Sequence, residues 1–201
     1  MIVARISQGS YGDLSMHGSS GLDGYVGWIP LTSANVVLEF AQAKSEVDLS
    51  AIDAKKNPEG YRLALKAASK EPENCINCGK YVDSSTPYLM ELSIRDKLMG
   101  NASSASNLLA EIHFVETAGQ DTIQPFLQIA MERVHVEDWN VGGDADERPQ
   151  ESFKLVFERF AIKYTPLPTV DMKGRQSGQA VSHIKGFDQN GPETWNGPWP
   201  R

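Results

Sequence analysis

The chain has 201 residues, of which 40% are apolar and 22% charged, and its formal net charge is −7. This length suffices for one domain whose core needs neither disulfides nor a metal ion, and the composition is that of a soluble globular protein. Phosphate binding depends on clusters of Lys and Arg, and this sequence has no such cluster. No apolar run approaches the roughly 20 residues that span a bilayer. We therefore expect neither nucleic acid nor a membrane as a partner.

Two β segments separated by a long loop are predicted at the N-terminus. Residues 2–7 alternate apolar and polar side chains, which predicts a strand. Residues 8–24 are rich in Gly and Ser and predict an exposed loop. Residues 25–43 are again β-branched and aromatic, and Pro30 favours an edge or a break because proline has no N–H to donate. The N-terminus shows no charged region followed by a long apolar one, so we expect no Sec signal and assembly in the cytoplasm.

Residues 42–74 differ in character and predict a loop-like insertion. They are rich in Ala, Lys and Glu, and helix formers flank an Asn-Pro-Glu-Gly turn, so a short helix is expected near 58–68. The only cysteines of the chain, Cys75 and Cys78, follow directly. This C-x-x-C pair is compatible with a decorated or disulfide-closed loop, with half of a zinc site, or with a redox pair.

The loop interpretation of the two cysteines is preferred. A structural zinc ion takes four ligands, usually from two such pairs, and the sequence has no second pair. Its histidines stand singly, at His17, His113, His135 and His183. Redox pairs lie at a strand-to-helix junction in a βαβ setting, which this sequence does not show. Cys75 and Cys78 stay candidates for a metal shared with a histidine or another subunit.

A helix is predicted from Thr86 to about Gly100. Thr86 offers a hydroxyl that caps a helix, and Pro87 suits the first helical position. Gly100 is placed to end the helix. One helical face carries Leu89, Leu92 and Met99.

Long strands are predicted from residue 108 onward. Residues 108–118 alternate in the manner of a strand. In the next β segment the apolar face slips by one residue between Met131 and Val134, which indicates a β-bulge. The last β segment also changes phase midway, and its apolar residues are Phe153, Leu155, Phe157, Phe160, Ile162 and Tyr164. Two long strands that change phase indicate a strongly bent sheet or a small barrel, so the predicted fold class is mainly β.

The remaining segments carry no catalytic constellation. The charged turn 142–151 lacks the spacing of a calcium loop, and the sequence contains no G-x-S-x-G, no phosphate loop and no H-E-x-x-H. His113 and His135 lie in strand patterns, where satisfied or solvent-facing side chains are expected. The tail 165–201 has no periodicity; its two tryptophans are costly to leave in water and are expected to dock on this domain or a neighbour. We expect no enzyme and no cofactor.

Two segments resemble a known family. "KYVDSSTPYLMEL", residues 80–92, resembles the passage from a strand into the single helix of the type VI secretion tube proteins, the Hcp (hemolysin-coregulated protein) family. Residues 129–166 look like the last two strands of that family. The first segment matches the family pattern at Lys80, Asp83, Ser85, Pro87 and Leu89. The second matches it at Pro149, Glu151, Phe153, Leu155, Phe157, Ile162 and Tyr164.

The resemblance implies a fold and a function. The implied fold is a small antiparallel β-barrel of two sheets with one flanking α-helix in residues 1–166, an insertion at about 42–78, and a C-terminal extension over 167–201. The implied function is structural: homo-hexameric rings stack into a tube that a contractile sheath expels, tipped by a spike protein and carrying effector cargo in its channel. Secretion without a Sec signal follows from that route, and the loop 8–24 and the insertion are candidates for stacking contacts.

Three other readings stay open at the level of sequence. An Hcp-like barrel can act as a secreted effector through its tail or insertion. A monomeric barrel can bind a small ligand in its interior. A cysteine-dependent protein can use Cys75 and Cys78 as a metal or redox site. Solution mass separates the tube subunit from the monomeric barrel, and metal content tests the third reading.

Overall fold

The structure, a computed structural model, describes residues 1–8, 18–38, 74–99, 108–118, 122–167 and 181–188. The predicted helix near 58–68, His17, Gly100 and both tail tryptophans lie outside these ranges. The described elements are β1 (Ile2–Gln8), β2 (Ile29–Leu31), β3 (Ser33–Val37), β4 (Cys75–Tyr81), α1 (Thr86–Met99), β5 (Leu108–Ala118), β6 (Thr122–Gly142), β7 (Gln150–Tyr164) and β8 (His183–Asp188).

The described strands close into a small antiparallel barrel. Hydrogen bonds join them in the order β2-β1-β5-β6-β7-β4-β3. β2 and β3 are separated only by Thr32, so the continuous segment 29–37 stands at both ends of this order. It pairs with β1 at one end and with β4 at the other, and at the junction the Thr32 N–H donates to the Gly79 carbonyl over 2.8 Å. Closure satisfies the edges that an open sheet would leave unpaired.

The predicted barrel with a flanking helix is confirmed. The long strands β6 and β7 join the two halves of the barrel. β6 has 21 residues and β7 has 15, so each is long enough to serve both halves of the barrel. α1 packs on β6, with Leu89 fully buried and Leu92 packed against the core. The described helix is neither long nor apolar enough to cross a membrane.

The predicted phase change of the long strands is also confirmed. Leu108 and Leu109 are opposite Val134 and Glu132, so Arg133 is an extra residue in β6 on the side of β5. Its φ of 53° is the left-handed conformation that such a bulge uses. The core face runs through Ile129 and Met131 before the bulge and through Val134 and Val136 after it. β7 changes phase at the same level, because Phe160 is opposite Met131 and Phe157 is opposite Val134.

A second bulge in β6 has no counterpart in the sequence analysis. Glu137 is opposite Lys154 whereas Asn140 is opposite Ser152, so β6 has one residue more than β7 between these pairs. Asp138 at this point has a φ of 50°. The bulge turns Trp139 inward, where its ring packs against the core.

Two boundaries differ from the sequence-based expectation. Cys75–Tyr81 form the barrel strand β4, so the last four residues assigned to the 42–78 insertion belong to the barrel. The tail, predicted to be aperiodic, contributes β8, which pairs with the second half of β7 from Arg159 to Tyr164. β4 occupies the first half of the same β7 edge. The unpaired backbone groups beyond β4 thus supply a docking edge that side-chain periodicity does not reveal.

Candidate functional site

A buried polar cluster lies where β4, β7, the start of α1 and the second bulge of β6 meet. We call it the Lys80 cluster, and it consists of Ser19, Lys80, Asp83, Ser85, Thr86, Trp139 and Glu151. Four of its members were singled out by the family resemblance: Lys80, Asp83, Ser85 and Glu151. The seven residues come from the loop before β2, the segment 80–86, β6 and β7, so the cluster ties distant segments together.

Lys80 is the centre of this cluster. It lies directly opposite Glu151 in the β4–β7 ladder, and its side chain is 0% exposed. Its ammonium donates to Glu151 Oε1, and over 2.7 Å to Asp83 Oδ1. A buried charge is tolerated only when it is paired and hydrogen-bonded, and Lys80 has two carboxylates as partners.

Both carboxylate oxygens of Glu151 are engaged. Oε1 accepts from Lys80 and from the Thr86 hydroxyl over 2.7 Å. Oε2 accepts from the indole N–H of Trp139 over 2.7 Å. The second β6 bulge therefore has a role in this cluster, because it turns Trp139 towards Glu151.

Asp83 connects the cluster to the loop before β2. Its Oδ1 accepts from the Ser85 N–H and hydroxyl, over 2.9 and 2.6 Å, as well as from Lys80. Its Oδ2 accepts from the Ser19 hydroxyl over 2.8 Å. Burial alone would raise the pKa of Asp83, but the hydrogen bonds from Lys80, Ser85 and Ser19 outweigh it and lower the pKa to about 2. Asp83 is therefore a carboxylate at neutral pH.

α1 begins at Thr86 as predicted, but its capping residue differs from the prediction. The Leu89 N–H donates to the Ser85 carbonyl over 3.1 Å, so Ser85 is the N-cap residue and Thr86 is the first helical residue. The Thr86 hydroxyl does not cap the helix; it accepts from the Asp83 N–H over 3.0 Å and donates to Glu151. The expected capping role was wrong because the Thr86 hydroxyl oxygen accepts from the Asp83 N–H, and its proton is directed at the buried Glu151, which local sequence does not reveal.

The other residues matched by the resemblance are placed around this cluster or in the core. The Pro149 carbonyl accepts from the Val82 N–H over 3.0 Å, beside the cluster. Pro87 follows Thr86 in the first turn of α1. Tyr164, by contrast, is 49% exposed at the end of β7. The buried ones are Leu89, Phe153, Leu155 and Phe157. Ser19 and Trp139 were missed, because only the folded register brings them to Asp83 and Glu151.

The Lys80 cluster is suited to fixing structure. Lys80, Ser85 and Glu151 are shielded from solvent, and the donors and acceptors described above are directed at one another. The cluster thus holds the start of α1 and the loop around Ser19 against the barrel. It offers no accessible nucleophile among these three side chains.

The two cysteines do not form the loop that the sequence analysis preferred. Both lie in β4, and residues three apart in a strand point to opposite faces. Cys78 joins the core and Cys75 lies buried on the other face, so no disulfide joins them. Burial raises the pKa of the Cys78 thiol well above its usual range, and Cys75 adds to the rise. Among the described residues, no three His, Cys, Asp or Glu side chains are grouped to hold a metal ion.

His113 belongs to a second, smaller cluster on the outside of β1 and β5. Gln128 Nε2 lies 3.1 Å from His113 Nε2, and the Tyr25 hydroxyl lies 3.2 Å from Nδ1. The Trp28 ring lies 4.8 Å away. Burial, followed by the charges of Arg5 and Lys163, lowers the pKa of His113 to about 4. The expectation of a satisfied structural histidine is confirmed at this position.

The outer side of α1 exposes apolar side chains. Tyr88, Met90 and Ile94 are 48%, 39% and 47% exposed. Met90 and Ile94 are four positions apart and therefore neighbours on one helical face, whereas Tyr88 is two positions before Met90 and lies on a different side of the helix. Single exposed apolar residues are ordinary, but the neighbouring Met90 and Ile94 form a small apolar patch, the kind of surface that protein contacts use. The opposite side of the same helix is anchored by Leu89 and the Lys80 cluster.

The chain matches one protein-family model over most of its length. Residues 10–164 match the model described as "Type VI secretion system effector, Hcp". No curated protein sequence matches the chain significantly.

Solved structures share the fold at low sequence identity. One, described as a type six secretion system protein, is 14% identical with a TM-score of 0.61, and the match covers 97% of this chain and 100% of the other. The Hcp1 protein of E. coli EAEC 042, in a mutant form, is 13% identical with a TM-score of 0.57, covering 94% and 97%. A type VI secretion system effector from Yersinia pestis is 12% identical with a TM-score of 0.55, covering 94% and 99%.

Proposed function

Because the chain belongs to the Hcp family of type VI secretion system proteins, we propose that it is a structural subunit of the secretion tube. In this role six copies close into a ring, and rings stack into a channel that carries effector cargo. A contractile sheath and a spike protein are the remaining partners. Assembly takes place in the cytoplasm, and the tube leaves the cell without a Sec signal. The role requires neither catalysis nor a cofactor.

The observation that carries this proposal is the apolar patch on the rigidly anchored helix. A ring closes through head-to-tail contacts, in which two different surfaces of each subunit meet. Met90 and Ile94, four positions apart on one face of α1, offer one such surface. The Lys80 cluster fixes the start of that helix on the barrel, so the patch is held in a constant orientation, as a closed ring requires.

The competing functions receive less support from the described residues. The inward side chains of the barrel pack on one another as a hydrophobic core, which includes Ile6, Ile76, Ile112, Ile129, Met131, Val136 and Leu155. An interior ligand site would need room that this packing takes. Cys75 and Cys78 point to opposite faces of β4, which does not favour a shared metal or a redox pair.

Light scattering after size exclusion near neutral pH tests the ring. We expect a species of six times the mass of one chain. Ile94→Asp places a charge in the apolar patch and should release monomers that remain folded by circular dichroism. The matched control is Ile184→Asp, the same substitution at an exposed position, 38%, on β8 opposite Lys163; it should leave the six-subunit species in place. A monomeric wild-type chain over a wide concentration range would contradict the proposal.

Electron microscopy tests the stacking step separately. Concentrated wild-type rings should show end-on rings and side views of stacked tubes. Rings without tubes would support the subunit geometry but would assign stacking to the partner proteins.

A further inference from the structure

We propose that Trp195 in the C-terminal tail docks in cis into an apolar groove beside β8. The groove has a volume of about 150 Å³, and its lining residues are Leu38, Asn74, Phe160, Ile162, Lys185, Gly186 and Phe187. This inference goes beyond the tube role and does not depend on it.

The walls of the groove favour an aromatic occupant. Phe160 and Phe187 are opposite one another in the β7–β8 ladder, with ring centroids 6.4 Å apart. Phe160 also lies 5.5 Å from Phe157 in the core, so the groove is continuous with the main aromatic packing of the barrel. Aromatic rings in offset or edge-on arrangements add stabilisation beyond the area they bury. The groove, with its volume of about 150 Å³, has room for one large side chain.

The tail begins at the groove and is long enough to return to it. β8 ends at Asp188, one residue after Phe187. Asn190-Gly191-Pro192 combines dipeptides that mark turns, and a reversal there brings the next residues back alongside β8. Trp195 is seven residues beyond Asp188, a reach of at most roughly 25 Å in extended chain. Phe187, the neighbour of Asp188, lines the groove, so a chain of this length reaches it.

The charge of Glu193 and the apolar surface of Trp195 both favour the tail as the occupant of the groove. Lys185 is exposed at the groove, and Glu193 precedes Trp195 by two residues, so docking brings opposite charges together. Leu38 and Asn74, which line the groove, flank the segment 39–73 in the sequence. It contains no tryptophan, whereas a tryptophan gains more than other side chains from leaving water.

Fluorine NMR of the full chain labelled with 5-fluorotryptophan tests this inference. The four tryptophans give four resonances, and Trp195→Phe assigns the one of interest. We expect the Trp195 resonance to differ from that in a free peptide of residues 189–201. Phe187→Ala should shift it to the peptide position. The matched control Ile184→Ala changes an exposed residue of the same strand that does not line the groove, and should leave the resonance unchanged.

The experiment contains its own check on folding and on the alternative occupants. An unchanged Trp139 resonance shows that Phe187→Ala has kept the fold. If that variant fails to fold, Lys185→Glu should move the Trp195 resonance, and adding Glu193→Lys should restore it. A wild-type Trp195 resonance at the peptide position overturns the proposal. So does a Trp195 resonance that ignores the groove variants, or one whose position depends on protein concentration, since the latter indicates docking on another copy.

Discussion

Lys80 shows how single residues of this chain acquire their roles. It lies in a strand, has no exposed surface, and is neutralised by Glu151 and Asp83. Removing one member of a buried ion pair leaves the other charge uncompensated, which costs about 3–5 kcal/mol. Local sequence shows the lysine but not its partners, because Glu151 is 71 residues away. The family resemblance identified four of the seven cluster residues, and only the strand register explains why they belong together.

The low pKa of Asp83 makes a pH-dependent prediction at the residue scale. In the unfolded chain Asp83 titrates near 3.8, whereas in the folded chain the pKa is about 2. Between these values the unfolded state binds more protons, so stability falls as pH falls from about 4 to about 2. We expect Asp83→Asn to lower the free energy of unfolding at pH 5 and to reduce its slope in that window. Urea denaturation at a series of pH values measures both quantities.

The matched control for Asp83 is Asp144→Asn. Asp144 lies in the exposed β6–β7 turn, so its replacement should keep the wild-type slope below pH 4. An Asp83→Asn variant with the full wild-type slope would contradict the assignment of the titration to the Lys80 cluster.

At the scale of elements, the sequence predicts what depends on periodicity and misses what depends on pairing. The slip between Met131 and Val134 is visible because apolar residues mark both faces of the bulge. The second bulge at Asp138 is not visible, because Trp139 is the single residue of β6 after it that packs against the core. Sequence analysis did not predict β8 either, because Gly186 interrupts its apolar pattern. The strand forms through backbone pairing with β7, which the side-chain pattern does not reveal. The prediction for the cysteines was wrong for a related reason. A C-x-x-C spacing suggests a loop, and only the pairing of β4 with β7 shows that both cysteines lie in a strand.

The first bulge supports a prediction about backbone strain. Arg133 has a φ of 53° and forms an exposed ion pair of 2.7 Å with Glu158. Both Arg133→Gly and Arg133→Val remove the same ion pair, so comparing them isolates the backbone. Glycine adopts positive φ freely, whereas a β-branched residue does so only under strain. We expect the valine variant to be less stable than the glycine variant by about 1–2 kcal/mol, measured by urea denaturation. Equal stabilities would show that the bulge relaxes without cost.

At the scale of the whole molecule, barrel closure depends on the segment that precedes β2. Residues 18–28 connect the Lys80 cluster, through Ser19, with the closing segment that starts at Ile29. They also cover a small hydrophobic cluster of Val3, Tyr25 and Val115 on the outside of the sheet. The sequence predicted residues 18–24 as part of an exposed loop, because Gly and Ser are typical of loops. Gly18 serves instead to let the chain approach itself closely.

Gly18 provides the sharpest test of that arrangement. Its N–H donates to the Gly27 carbonyl over 2.6 Å, and a Cβ added to it would lie 2.1 Å from the Trp28 carbonyl oxygen. Backbone cannot rotate away as a side chain can, so Gly18→Ala must displace the entry to β2. We expect it to lower the free energy of unfolding by about 1–3 kcal/mol, as overpacking does. The barrel closes through the segment 29–37, so cooperativity of the urea transition should fall as well.

Gly21 is the matched control for this prediction within the same loop. A Cβ added there meets no atom within 4 Å, so Gly21→Ala should be neutral or stabilise the fold by about 0.4–1 kcal/mol through the unfolded state. Equal effects at the two positions would mean that the close approach of Gly18 to Trp28 is not needed for closure. A loss confined to Gly18→Ala would show that this loop and the barrel fold as one unit.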